Sequence, residues 1–407
     1  MNSTDIFSLA LGLESPWEIK SVEMKVTKDS IKELHLHIGY TRGFQFKDEE
    51  GNHCPVHDTK AKEWRHMDFF EHQCFIHCSV PRIKTKEGKI RQIDVPWARK
   101  QSGFTLLFEA IAMSLIENEM PVNKVARLLG EHPNRIWRIF NYWIELAYQK
   151  DDVSQVTQLG FDETSRRKGH SYITVAVDLE ERRVIHVVKG KNAGTIKEIK
   201  GYLSDKGVSA KQITQASIDL SPAFISGITE HFPKADITFD RFHVVKLLNE
   251  AMDTVRKQER KEHDQLKGHK YTFLKNKLSK KKQSELSELI TLYPTLGEAY
   301  RLKILFNDLW AMPNKKSATG FINQWFDEVE KSKIQPFMKF SKTVKAHLSG
   351  IINFVETKIT NAILESINNK IQMAKKRARG YRNTDNFINM IYFLCGKLKF
   401  EYPHKMA

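Results

Sequence analysis

The chain changes from helical to strand-forming patterns at TQLGFDETSRRKGHSYITVAVDLEERRVIHVVK, residues 157–189. Alternating and β-branched residues predict three strands here, at Thr157–Asp162, Ser171–Asp178 and Arg182–Lys189. The polar pair Glu180-Glu181 indicates a hairpin turn between the second and the third strand. We therefore expect three consecutive antiparallel strands.

Helices and strands alternate after this hairpin. The apolar pattern predicts helices at Thr195–Lys206 and Pro222–His231, and strands at Ile213–Asp219 and Asp236–Asp240. Three antiparallel strands followed by alternating helix and strand are the element order of a ribonuclease-H-like α/β fold. We expect that fold for this part of the chain.

The flanking segments have different patterns. Residues 240–348 are almost entirely helical in pattern and rich in lysine, which indicates a large helical insertion. An amphipathic helix is predicted for Thr357–Arg379. Near the start of the chain, Trp17–Tyr40 alternates as a β-hairpin does.

Composition points to a polyanionic partner. Lys and Arg number 65 against 49 Asp and Glu, so the 407-residue chain carries a net charge of +16. Such an excess favours nucleic-acid binding over a small neutral substrate, although a soluble protein can simply be basic. The start of the chain lacks the pattern of a signal peptide, and the apolar stretch Phe104–Ile116 is too short to span a bilayer. We expect a cytoplasmic, nucleoid-associated protein without a membrane partner.

Two aspartates are predicted at strand ends. Asp162 ends the first strand beside Gly160, and the small glycine leaves room for a metal and a phosphate. Asp219 ends a later strand, just before a helix that begins with Pro222. Asp219 could instead simply cap that helix. A neighbouring Asp162 favours the interpretation as a metal site.

Helical phase singles out Glu365. Ile363, Leu364, Ile367 and Ile371 share an apolar arc with two alanines. The opposite arc carries Glu365 as its single acid among amides and a lysine, at positions Asn361, Asn368, Asn369, Gln372 and Lys376. That pattern suits a carboxylate presented to a phosphate-rich ligand; the alternative is a solvated face with an incidental glutamate.

Three carboxylates match the needs of two-metal phosphoryl transfer. Asp162, Asp219 and Glu365 could hold Mg²⁺ or Mn²⁺, because oxygen ligands suit these hard ions. Asp240 and His243 follow the next predicted strand and could support the acids, although His243 could equally be structural. Asn361 is a further candidate for a supporting role on the glutamate's helix.

A helix-turn-helix is predicted between Phe104 and Tyr148. Val122–Leu129 forms a short amphipathic helix, and Pro133 opens a second one. Arg135 and Arg138 are its expected outward-facing DNA contacts. Basic residues after Glu365 are further candidates for gripping the DNA backbone, namely Lys375, Lys376, Arg377 and Arg379.

The cysteine pattern leaves a zinc site open. Cys54 and His57 precede Cys74 and Cys78, two pairs that resemble a zinc knuckle with irregular spacing. Buried cysteines beside solvated histidines are the equally good alternative. Zn²⁺ is therefore a second candidate cofactor.

Taken in order, these motifs resemble the DDE transposases of the ISL-three family. The resemblance is carried by Gly160-Phe-Asp162-Glu-Thr-Ser165, Asp219-Leu-Ser-Pro-Ala-Phe224, Asp240-Arg-Phe-His243 and Asn361-Ala-Ile-Leu-Glu365 with its downstream residues. It implies a ribonuclease-H-like core with a helical insertion, Mg²⁺ dependence, and binding to terminal inverted repeats. The family's acidic triad carries over onto Asp162, Asp219 and Glu365. Members often complete a zinc site with two cysteines after the Pro81-Arg82 segment, which this chain lacks.

The resemblance predicts four parts and a function. The parts are a β-rich DNA-binding domain at 1–98, a helix-turn-helix at 99–150, a catalytic core at 151–243 with 349–395, and a helical insertion at 244–348. The expected function is metal-dependent cleavage and strand transfer at the ends of a bacterial insertion sequence, on double-stranded DNA, by a homodimer or larger assembly. The alternatives are a helix-turn-helix regulator that does not cut and a structure-specific nuclease on the same core.

Overall fold

The structure is a computed structural model that describes residues 3–167, 171–275, 277–357 and 362–402. The described residues fall into two compact units. The first holds those of Met1–Ala147 and Lys399–Ala407, and the second those of Tyr148–Leu398. No helix in the described part of the chain combines the length and apolar character needed to cross a membrane.

The first unit is a β-rich part followed by three helices. Its main sheet has the strand order β1-β2-β6-β5, with β7 paired to β6. The predicted hairpin is confirmed, since β1 and β2 pair antiparallel with Trp17 opposite Tyr40. The elements are α1 (Ser3–Ala10), β1 (Trp17–Val26), β2 (Lys32–Tyr40), β3 (Phe46–Lys47), β4 (His53–Cys54), β5 (Val56–Phe69), β6 (His72–Lys84), β7 (Ile90–Gln92), α2 (Leu106–Glu117), α3 (Val122–Leu128) and α4 (Pro133–Gln149).

A buried carboxylate ties the helices of this unit together. Glu109 on α2 is 0% exposed, and its two oxygens accept hydrogen bonds from Arg99, Ser102 and the indole of Trp143 on α4. An unpaired buried charge would be costly, but here the carboxylate has three donors. The pairing fixes α4 against α2.

The second unit is a mixed α/β structure. Its five-stranded sheet has the order β10-β9-β8-β11-β12. The first three strands pair antiparallel, and β11 runs parallel to both β8 and β12. The elements that build it are β8 (Gln158–Arg167), β9 (Ser171–Asp178), β10 (Arg183–Lys189), α5 (Ala193–Asp205), β11 (Gln215–Ile218), α6 (Pro222–His231) and β12 (Asp236–Phe239). The predicted order of strands and helices is confirmed.

One predicted boundary is wrong. The first strand does not end at Asp162, because the chain goes on pairing with β9 through Thr164 opposite Ile173 and Ser165 opposite Tyr172. Asp162 therefore lies within β8. On the other side of β8, pairing with β11 reaches only Gly160, opposite Ser217.

The rest of the second unit is helical. Its helices are α7 (Arg241–Glu259), α8 (Lys270–Leu274), α9 (Lys280–Leu292), α10 (Pro294–Asn307), α11 (Lys315–Ser332), α12 (Gln335–Ala346), α13 (Leu348–Thr357), α14 (Ala362–Arg377) and α15 (Thr384–Cys395). Phe161 of the sheet and Trp325 of α11 belong to one continuous hydrophobic core. Of the amphipathic helix predicted at Thr357–Arg379, the structure describes α14, whereas Thr357 belongs to α13.

Candidate active site

Three aspartates come together where β11 and β12 end beside β8. Asp219 follows the last residue of β11, and Asp240 follows the last residue of β12. The backbone amide of Asp240 donates to the carbonyl of Ile218 at 2.9 Å, which holds the two strand ends together. Because Gly160 of β8 pairs with Ser217 of β11, the sheet brings Asp162 next to Asp219.

The carboxylate of Asp162 is held from two directions. Its Oδ1 accepts a hydrogen bond from the backbone amide of Glu163 at 2.7 Å. Its Oδ2 accepts one from the side-chain amide of Asn368 on α14. Both oxygens thus have a donor before any ligand is present, so the orientation of this side chain is fixed by the fold.

The electrostatics confirm how close these groups are. Burial and the negative charges of Asp219 and Asp240 raise the pKa of Asp162 to about 6, against the lowering effects of the Glu163 amide and His243. Glu163, on the opposite face of the strand, has its pKa raised by burial and by Asp219 and Asp162. A cluster of carboxylates in which burial and neighbouring negative charges raise the pKa of Asp162 and Glu163 is a place where a cation would be stabilised.

Asp240 and His243 form a hydrogen-bonded pair beside these acids. Asp240 caps α7, since its Oδ1 accepts from the amide of Phe242 at 3.0 Å. Its Oδ2 lies 3.0 Å from Nδ1 of His243. The hydrogen bond to Asp240 raises the pKa of His243, and the charges of Asp240, Asp219 and Asp162 add to the effect. The half-buried imidazole is therefore biased toward its cationic form.

Asp219 also contributes to the start of α6, the helix that it was considered to cap as an alternative to binding a metal. Its Oδ1 accepts from the amide of Ser221 at 3.0 Å, and Ser221 occupies the N-cap position of α6. The carboxylate thus stabilises the turn into the helix and also lies within electrostatic range of Asp162. The two interpretations are compatible, because a carboxylate has acceptor capacity for more than one partner.

Three side chains at successive turns of α14 bind β8. Asn368 donates to Asp162, Gln372 donates to Thr164 at 2.9 Å, and Lys375 donates to the carbonyl of Ser165 at 2.6 Å. The spacings of four and three residues place them on one face of the helix. We call Asn368, Gln372 and Lys375 the α14 ladder. Two amides of the polar arc predicted around Glu365, Asn368 and Gln372, thus bind the sheet.

The structure does not group Glu365 with the two aspartates. Glu365 is exposed, one helical turn before Asn368 on the same side of α14. Within the described ranges, no three His, Cys, Asp or Glu side chains are arranged so that they could hold a metal ion. Asn361, the predicted supporting residue, lies outside the described residues.

The comparisons with known proteins decide the family. A family model described as "Transposase" matches residues 159–391, from β8 to α15, and so covers Asp162, Asp219 and Glu365. A second, the "Helix-turn-helix domain of transposase family ISL3", matches residues 93–144. The chain belongs to the transposase family ISL3. The family that the sequence motifs resemble is confirmed.

Similar proteins cover most of this transposase. It is 26% identical over 384 residues to a protein of Bordetella parapertussis named "Transposase for insertion sequence element IS1001", covering 91% of this chain and 94% of that protein. It is 23% identical over 361 residues to a "Transposase for insertion sequence element IS1557" of Mycobacterium tuberculosis (strain CDC 1551 / Oshkosh), covering 80% of each. The similarity therefore extends over both compact units.

The two arginines predicted to contact DNA in the helix-turn-helix of the transposase have different surroundings. Arg138 on α4 is exposed, as an outward-facing DNA contact requires. The guanidinium of Arg135 pairs with Glu131 and lies 4.3 Å from the centre of the Phe104 ring, and its side chain stays 39% exposed, so DNA contact stays a prediction for both arginines. Arg135 sits where α4 meets the preceding loop, so local packing competes with any ligand for its charge.

The four basic residues predicted to contact DNA after Glu365 differ in their exposure. Lys375 is half-buried, and its ammonium is engaged in the α14 ladder, so it acts within the fold. Lys376, Arg377 and Arg379 are exposed near the end of α14. Contact with DNA stays a prediction for these three side chains.

The four predicted zinc ligands of the transposase are not brought together. Cys54 belongs to a small cluster with Phe46 and Ile83, whereas Cys74 and Cys78 lie in the main core of the sheet. His57 is exposed. Burial raises the pKa of both Cys74 and Cys78 to about 12, which disfavours the thiolate that binds zinc. Cys74 and Cys78 alternate along β6 onto one face of the sheet. They lie there beside Leu34 and Ile38 of the paired strand β2, in the same hydrophobic core.

Proposed function

We propose that this transposase cleaves DNA strands and joins them to target DNA at a site formed by Asp162, Asp219 and Glu365. The observation that carries the proposal is that Asp162 of β8 and Asp219, which follows the neighbouring strand β11, lie within electrostatic range of each other beside the Asp240–His243 pair. Family membership supports a transposition reaction, and both relatives are named as transposases of insertion sequences. The substrates would be the terminal inverted repeats of such an element and a target duplex.

The order and direction of the strands support a ribonuclease-H-like core. Three antiparallel strands are followed by two parallel ones on the side of the first, and helices connect the parallel strands. We propose that the catalytic core is 151–243 with 349–395 and that 244–348 is a helical insertion into it. The β-rich residues 1–98 and the helix-turn-helix at 99–150 would bind DNA.

The donor set suits a hard divalent cation. Asp162 and Asp219 offer only oxygen ligands, and a positive ion would offset the burial of Asp162 and its repulsion by Asp219, which together raise the pKa of Asp162. Glu365 would be the third ligand. Mg²⁺ or Mn²⁺ bound there would supply Lewis acidity toward the scissile phosphate.

The remaining roles belong to the chain's own residues. Asn368 and the Glu163 amide hold both oxygens of Asp162, so this carboxylate does not have to reorient when substrate arrives. Asp240 orients the imidazole of His243 and favours its cationic form, which suits contact with a phosphate oxygen. Arg138, Lys376, Arg377 and Arg379 would neutralise phosphates along the duplex. Acting on two element ends would require at least a homodimer.

The test is DNA cleavage and strand transfer on duplexes that carry the ends of the element. We expect Asp162→Asn, Asp219→Asn and Glu365→Gln each to lower both reactions at least a thousandfold, with DNA binding retained. Asp205→Asn and Glu198→Gln, two exposed acids of α5, serve as matched controls and should stay close to wild type.

Each alternative has its own outcome in this assay. DNA binding by the wild type without Mg²⁺-dependent cleavage would indicate a helix-turn-helix regulator. Cleavage without joining would indicate a structure-specific nuclease. Full activity in Glu365→Gln would remove Glu365 from the site and leave the two aspartates as its acids.

A further inference from the structure

We propose that the ring of Phe242 is a stacking surface for a nucleobase of the DNA strand being processed. Phe242 lies on α7 between Arg241 and His243, two residues after Asp240. Its side chain is 69% exposed. It is the only exposed phenylalanine among the described residues of the second unit. The inference rests on the proposed function and names a further contact with its substrate.

The residues on either side hold Phe242 in place. Its backbone amide donates to Oδ1 of Asp240 at 3.0 Å, so the cap of α7 fixes its main chain. The guanidinium of Arg241 lies 5.4 Å from the centre of the Trp310 ring, and the imidazole of His243 is bonded to Asp240. Phe242 therefore lies in the first turn of α7, where the cap holds its main chain.

The ring itself meets a neighbouring aromatic ring at its edge. It meets the imidazole of His243 edge-on, with centres 5.6 Å apart and planes at 86°. The exposed ring of a phenylalanine is costly in water, and the other phenylalanines of α6 to α13 are buried or partly buried. An exposed aromatic face held this firmly beside a phosphate-processing site fits a planar partner.

A nucleobase is the partner that this position favours. A scissile phosphate near Asp162 and Asp219 places its flanking bases within reach of neighbouring residues, and the net charge of +16 matches a polyanionic ligand. Bases that stack on an aromatic ring are bound with little sequence preference, because every base has a π-face. Phe242 would therefore stabilise a base that leaves the stack of the duplex next to the cleavage point.

A binding cycle between one side chain and one base tests the proposal without relying on catalysis. The probes are duplexes of the element end, intact or with an abasic nucleotide at single positions that flank the cleavage point. Dissociation constants are measured in EDTA for wild type, Phe242→Ala and Phe242→Trp. We expect Phe242→Ala to weaken binding to the intact duplex on the order of tenfold, and Phe242→Trp to stay near wild type. At one flanking position the abasic duplex should bind wild type and Phe242→Ala equally.

Tyr271→Ala is the matched control, because Tyr271 is an aromatic residue that is 63% exposed and lies on α8, away from the residues proposed to bind DNA. It should leave binding unchanged. Equal loss of binding by Phe242→Ala on the intact duplex and on all abasic duplexes would overturn the stacking proposal, as would no loss at all. Failure of the proposed function shows separately, as absence of cleavage by wild type when Mg²⁺ is added to the same complexes.

Discussion

Asn368 is the residue of the α14 ladder that bonds directly to Asp162. Its amide donates to Asp162, and the two residues lie 206 positions apart in the chain. The carboxylate of Asp162 is mostly buried and close to two further negative charges, so its orientation depends on the donors that surround it. Asn368 thus acts through Asp162 as a positioning residue.

We expect Asn368→Ala to lower the rate constant of DNA cleavage at least tenfold, because Asp162 loses the donor that fixes its Oδ2. The dissociation constant for DNA and the melting temperature should change little, since Asn368 is partly exposed. Single-turnover cleavage, DNA titration and thermal unfolding separate these effects.

Asn369→Ala is the control at the exposed neighbouring position. Cleavage by this variant should stay within about twofold of wild type, in the range of a surface substitution. Equal rates for Asn368→Ala and wild type would show that the hydrogen bond does not position Asp162 for the reaction.

At the scale of elements, the close approach of α14 to β8 depends on a glycine. A Cβ at position 160 would lie 2.8 Å from Leu179 Cδ2 and 3.0 Å from Leu364 Cδ2. Leu364 lies on α14, and the next residues of β8 on this face, Asp162 and Thr164, bind the α14 ladder. Gly160 therefore lets the helix that carries Glu365 pack directly on the strand that carries Asp162.

We expect Gly160→Ala to lower the free energy of unfolding by about 1–2 kcal/mol, because Leu364 or Leu179 must shift to make room. It should also lower DNA cleavage, since a displaced α14 weakens the bond from Asn368. Urea unfolding measures the first effect and the cleavage assay the second.

We expect Gly201→Ala to raise the free energy of unfolding measured by urea denaturation. Gly201 lies within α5, and nothing lies within 4 Å of a Cβ added there. Because alanine has a higher helix propensity than glycine, the free energy of unfolding should rise by about 0.5–1 kcal/mol. If Gly160→Ala were stabilising as well, the space between β8 and α14 would not be limiting.

At the scale of the whole molecule, the net charge of +16 sets how DNA is bound. Each phosphate that is neutralised releases a counterion, so the affinity falls steeply as salt rises. The exposed Arg138 contributes to this term if it contacts DNA, whereas Arg135 is paired with Glu131.

We expect Arg138→Gln to weaken DNA binding and to reduce the slope of log K against log salt by about 1. Arg135→Gln should instead lower the melting temperature with a smaller effect on the slope, because its charge is used inside the unit. Titrations of a labelled duplex at several salt concentrations, together with thermal unfolding, measure both. An unchanged slope in Arg138→Gln would place the DNA contact elsewhere.

Local patterns predicted much of this structure. The alternation in Thr157–Lys189 and the turn at Glu180-Glu181 are properties of neighbouring residues, and the hairpin of β9 and β10 is present. Pro222–His231 is a helix with the predicted ends, since a proline at the first turn and an apolar face are also local signals. The order of elements and the family could therefore be derived from the sequence, whereas the candidate acids stay a prediction.

Contacts between residues far apart in the sequence account for the features that local patterns did not predict. Asp162 lies inside a strand because β9 continues the ladder beyond it, and Lys375 is engaged because Ser165 is presented to α14. Cys74 and Cys78 face the core because β2 pairs alongside β6, and Cys54 packs in a different cluster.

The sequence was enough to predict which residues of this transposase are charged and which form strands or helices. These preferences depend on side-chain chemistry and on neighbours within a few positions. The tertiary structure alone decided which side chains meet. The bond between Asp162 and Asn368 and the raised pKa of Asp162 exist only after the sheet and α14 have packed, since burial and contact are properties of the folded chain.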